Sequence, residues 1–98
     1  MPTQTLSDSA AEFLPQNLLR KSFIVQNEDA SIDIFIRIEE PGVLAVSTTA
    51  HDHRIAPGGS LAINSDTDGI HQLRSRWTAI AASGTPLISF FETEDIER

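Results

Sequence analysis

The sequence predicts an all-β fold: a compact antiparallel β-sandwich or barrel, jelly-roll-like, preceded by a flexible N-terminal arm. Three observations carry this. Ser31 to Ile38 reads SIDIFIRI, with Ile32, Ile34, Ile36 and Ile38 on one face and Asp33, Phe35 and Arg37 on the other. The other apolar runs are also brief and are parted by clusters of Gly, Pro, Asn, Asp and Ser. No stretch reads as a convincing amphipathic helix.

Residues 1–12 are small and polar and are expected to form the arm; residues 13–98 then make a single β-sandwich domain. Ser9 and Glu12 have the spacing of a capping box, but Pro15 would stop such a helix after one turn. Phe13 and Leu14 therefore read as an extended lead-in, with a turn at Pro15 to Asn17. Lys21 to Asn27 is the first long strand, with Phe23 and Val25 on one face and Ser22, Ile24 and Gln26 on the other. A turn over Asn27 to Ala30 leads into the isoleucine strand. EEPG ends that strand, Val43 to Thr48 reads as the next, and TAHDHR as a polar loop.

At Ile55 to Asn64 the chain reads IAPGGSLAIN. Pro57 fixes φ, Gly58 or Gly59 can take positive φ, and Leu61 and Ile63 then alternate with Ala62 and Asn64. This is a tight corner between two strands. SDTDG is another turn, and Ile70 to Ser75 fits no single element. Arg76 to Ala82 reads as a strand through Trp77, Ala79 and Ala81. SGTP is a hairpin-like connection, Leu87 to Glu92 the last strand, and TEDIER an acidic tail.

The 98 residues suffice for one domain. Cysteine is absent, which excludes disulfides, thiolate metal sites and thiol catalysis. Seven basic against fourteen acidic residues give a net charge of -7. That balance disfavours nucleic acid and anionic membrane surfaces and suits a basic protein surface. No apolar run is long enough for a membrane-spanning helix, and the first residues lack the basic and apolar regions of a secretion signal.

The polar motifs weigh against chemistry. His51 and His53 flank Asp52 and could share a metal with His71 or Asp66, but no catalytic or structural metal pattern accompanies them. SDTDG resembles the start of a calcium loop and lacks its closing glutamate. Glu39 and Glu40 border a turn, and Glu92, Glu94 and Asp95 lie near the last residues, so neither group reads as a buried acid–base pair. Ser47 and Ser60 lie near His51 in sequence without a nucleophile elbow. APGGS is followed by a strand and no Lys-Ser/Thr, unlike a phosphate loop. The expectation is a protein that is not an enzyme, with no catalytic residues, metal or cofactor.

The aromatic residues point to protein contact. Trp77 is expected in the core. Phe90 and Phe91 are adjacent, so a strand aims them at opposite faces, and Phe35 sits opposite the isoleucines. Phe35, Phe90, Phe91, Phe13 and Leu14 are the candidate interface residues.

The order of segments LLRKSFIVQNEDASIDIFIRI, IAPGGSLAIN and RWTAIAASGTPLISFFE, over residues 13–92, resembles a group of small virion accessory proteins of tailed bacteriophages. Residues 47–54, STTAHDHR, depart from that pattern. The resemblance implies an all-β structural protein of the particle, a head decoration or cement protein that stabilises the capsid. Its partners would be the major capsid protein or other virion proteins, with further copies of itself as an additional partner. It would assemble in the host cytoplasm and reside in the virion. A tail or fibre location is the alternative within that group, and a metal- or carbohydrate-binding β-domain using His51, Asp52, His53 and Asp66 is the alternative outside it.

Overall fold

Alternation sets burial along the strands. In Arg20–Asn27, Phe23, Val25 and Asn27 are buried while Ile24 and Gln26 are exposed. The computed structural model describes residues 3–39, 45–64 and 73–94. Among them run β1 (Thr3–Thr5), β2 (Ala11–Leu14), β3 (Arg20–Asn27), β4 (Ile34–Glu39), β5 (His53–Ile55), β6 (Ser60–Asn64), β7 (Arg76–Ala81) and β8 (Leu87–Glu94).

They form two four-stranded antiparallel sheets, ordered β1-β8-β3-β6 and β2-β7-β4-β5. The pairs β1/β8, β2/β7, β3/β6 and β4/β5 nest inside one another like a folded ribbon. β3/β8 and β4/β7 then join the pairs into sheets. This is the double Greek-key arrangement of a jelly roll, so the expected all-β sandwich is the observed architecture.

Several local expectations change. Where an arm is expected over residues 1–12, Thr3–Thr5 pairs with Leu87–Ser89 and Ala11 begins β2. Leu6, buried between them, donates its amide to the Pro86 carbonyl at 2.8 Å. One leucine in a polar stretch anchors that segment, and composition hides it. The strand expected over Val43–Thr48 is not formed at residues 45–48. The strand lies instead at His53–Ile55, taking the last two residues of the expected loop and the first of the IAPGG stretch. An edge strand of three residues needs only one apolar side chain facing the core, here Ile55. The EEPG break after Glu39, the SDTDG turn, His71 and residues 95–98 lie outside the described residues.

The PGG corner and the SGTP connection do not make hairpins. β5 and β6 belong to different sheets, as do β7 and β8, so each corner carries the chain across the sandwich. Gly58 and Gly84 take φ of 72° and 65° there. Asn27 holds this end together. Its side-chain amide donates to the carbonyls of Ile32, Ile55 and Ala56 at 2.7, 3.2 and 3.2 Å, and its Oδ1 accepts from the Asp29 amide at 3.0 Å.

Between the sheets, Trp77 and Phe13 both meet Phe23 edge-on, at ring separations of 5.3 and 6.3 Å, and Phe13 meets Phe90 at 5.7 Å. At the far end Arg20 is fully buried. Its Nε donates to Glu92 at 2.6 Å, Nη1 to the Leu73 and Ser75 carbonyls, and Nη2 to the Pro15 carbonyl. One guanidinium thus ties β8 to two connections.

Candidate binding face

Each sheet has one face in the core and one turned outward, and the two outward faces differ in charge. On the β2-β7-β4-β5 sheet, outward residues pair ionically across strands. Arg76 bridges Glu12 and Glu39, Arg37 lies 3.8 Å from Asp52, and Arg54 lies 3.1 Å from Asp33. These pairs are partly exposed and individually weak, and Arg37 Nε is buried without a hydrogen-bond partner.

The outward face of β1-β8-β3-β6 is built differently. Its middle row is Ala62, Ile24 and Phe91 across β6, β3 and β8. One flanking row runs Ser60, Gln26, Ser89 and Thr3, the other Asn64, Ser22 and Thr93. None of these side chains is ionisable. Glu28, accepting from the Ser89 hydroxyl at 2.6 Å, stands at the rim. Phe91 is 49% exposed, Ile24 42% and Leu87, in the row beside Glu28, 41%. In a chain with 21 charged residues, seven basic and fourteen acidic, these three rows present only hydroxyls, amides and apolar side chains.

Of the five residues expected at an interface, only Phe91 is displayed there. Phe90 is partly buried against the core, and Phe13 and Leu14 are core residues, 4% and 2% exposed. The bulge between Glu12 and Leu14 lets two successive side chains of β2 turn inward, which strict alternation forbids. Phe35 does face away from the isoleucines, but the chain covers it itself. The Ser47 hydroxyl accepts from the Thr49 and Ala50 amides, folding residues 47–51 into a turn that sets the His51 ring 4.5 Å from the Phe35 ring. Phe35 is consequently buried apart from the central core. Ile24 and Leu87 are the residues that sequence reasoning missed. Their signal was alternation opposite Phe23, Val25 and Ile88.

The His51-Asp52-His53 segment does not converge. His51 lies over Phe35 on the outward face, whereas His53 lies 6.0 Å from the core residue Trp77. Asp52 turns back to β4, accepting from the Ile38 amide at 3.1 Å and donating its own amide to Ile36. Among the described residues no three His, Cys, Asp or Glu are grouped so as to hold a metal ion. Asp66 and His71 lie outside the described residues.

Comparison of the chain with protein-family models, with curated proteins and with solved structures finds no match in any of the three.

Proposed function

We propose that this chain is a structural, non-enzymatic protein of a tailed-bacteriophage particle, a capsid decoration or cement protein that binds neighbouring major capsid subunits. The observation that carries the binding role is the charge-free outward face of β1-β8-β3-β6, with Phe91 and Ile24 at its centre. The outward face of the other sheet instead carries charged residues joined in cross-strand ion pairs. Binding through the charge-free face buries apolar area without desolvating a charge. The segment order resembles that of virion accessory proteins, which supports the choice of partner, and the net charge of -7 suits docking onto a basic protein surface. Repetition over a lattice raises avidity, so each contact can be weak.

The test is copy number. Purified particles are dissociated and this chain is quantified against the major capsid protein. Hundreds of copies per particle, and heads that burst at lower temperature when the chain is deleted, are the expected results. A handful of copies would move it to the tail or a fibre, and absence from particles would end the virion reading.

A further inference from the structure

The first strand is fastened differently from the long ones. β3 is eight residues long, pairs on both sides and puts Phe23 and Val25 in the core. β1 is three residues long, has no buried residue and pairs with β8 alone among the described residues. Leu6, just beyond it, is the only residue of Thr3–Ser7 in the central core. One apolar side chain must therefore offset the ordering of the whole segment. A segment held in this way lies at the low-stability end of a fold.

Its backbone bonds reach both sheets. The Leu6 amide donates to the Pro86 carbonyl at 2.8 Å, and the Ser7 carbonyl accepts from the Ala81 amide at 2.9 Å. Gln4 stands opposite Ile88. Antiparallel alternation from the Leu6–Pro86 bond makes this a hydrogen-bonded pair, so the Ile88 amide donates to the Gln4 carbonyl. Ala81 ends β7 and Pro86 immediately precedes β8. Thr3–Ser7 thus straps together the two ends of the β7–β8 crossing, one end in each sheet.

We infer that Thr3–Ser7 is a latch, which lifts away as one unit and draws Leu6 out of the core while both sheets stay paired. Lifting breaks the bonds at the Leu6, Ala81 and Ile88 amides together, because each of these bonds has one end in the segment. It leaves β3/β8, β4/β7 and the ring contacts of Phe23 with Phe13 and Trp77 in place, since none of them runs through the segment. The bond from the Gln4 side chain to the Glu12 carbonyl, at 3.0 Å, is exposed to water and adds little to the hold. The open form frees the Ala81 and Ile88 amides and uncovers the part of the core that Leu6 fills. This does not depend on the virion reading.

Amide hydrogen exchange of the full chain, followed residue by residue at low urea concentrations, tests it. Leu6, Ala81 and Ile88 should share one opening constant, insensitive to urea and at least about 100-fold larger than that of Val25. Val25, in the middle of β3, should exchange through global unfolding, with a constant that rises with urea. Leu6→Val should raise the constants of all three amides by one common factor, about three- to tenfold. Glu92→Gln, at the opposite end of the sandwich, should leave the three unchanged. Constants for the three that rise with urea in step with Val25 overturn the inference. So do three unequal constants, a Leu6→Val effect confined to Leu6, or a Glu92→Gln effect shared by all four amides.

Discussion

The Nε of Arg20, with no exposed surface, donates to the Glu92 carboxylate at 2.6 Å, and Nη1 and Nη2 donate to three backbone carbonyls. The pair is asymmetric, because the Glu92 side chain keeps 32% of its surface in water. Arg20→Met should cost about 3–5 kcal/mol, since it leaves three carbonyls and a half-buried carboxylate without donors. Arg20→Lys should also destabilise, because one ammonium cannot reach acceptors spread around a planar fork. Glu92→Gln should cost less than either. Urea unfolding of the three variants checks the order, and equal midpoints for Arg20→Met and wild type would remove the role assigned to this residue.

Asn27 serves the opposite end. Its amide hydrogens face three carbonyls and its oxygen faces an amide, so the two ends of the side chain are not interchangeable. Asn27→Ala should lose about 1–3 kcal/mol through unsatisfied buried groups. Asn27→Asp should lose more than Asn27→Ala, because it sets a carboxylate against carbonyl oxygens. Chemical denaturation gives both values. An Asp variant as stable as wild type would contradict the donor assignment.

Gly58 and Gly84 share positive φ but differ in surroundings. A Cβ on Gly58 would meet nothing within 4 Å, whereas one on Gly84 would lie 3.0 Å from Ile32 Cδ1. Gly58→Ala should therefore cost only the backbone term, about 1 kcal/mol. Gly84→Ala should cost that and the displacement of Ile32. Melting temperatures should fall by several degrees for the first and further for the second, at about 4–8 °C per kcal/mol.

Phe91 and Phe13 separate binding from folding. Phe91→Ser should change stability by less than about 1 kcal/mol, since half its surface is already in water, and under the proposed virion role it should reduce binding to particles that lack this chain. Phe13→Ala should lower stability by about 3–5 kcal/mol. Denaturation and co-sedimentation, run side by side, check the contrast. Unchanged co-sedimentation of Phe91→Ser would remove the outward sheet face from the proposed contact.

What the sequence makes legible is local. Alternation in SIDIFIRI and KSFIVQN places Ile34, Ile36, Phe23 and Val25 on core faces, and the adjacency of Phe90 and Phe91 forces one of them outward. What it hides depends on residues far away in the chain. Arg20 carries no signal of its own until the fold brings Glu92 to it. Phe35 reads as exposed until a turn closed by Ser47 lays His51 over it. Phe13 and Leu14 both turn inward through a bulge that no periodicity announces. β5 carries too few apolar residues to register as a strand.

The nested pairing also orders the birth of the molecule. β4 and β5 are sequence neighbours and can meet as soon as both have been synthesised, but β3 must wait for β6, β2 for β7, and β1 for β8. Translation therefore releases the earliest residues long before their mates exist, and Thr3–Thr5 stays unclaimed until Leu87–Ser89 clears the ribosome. Maturation proceeds from the inside of the ribbon outward, slowly for so short a chain. A nascent polypeptide halted after β6 but short of β8 would hold Phe23 and Val25 against one neighbouring strand instead of two.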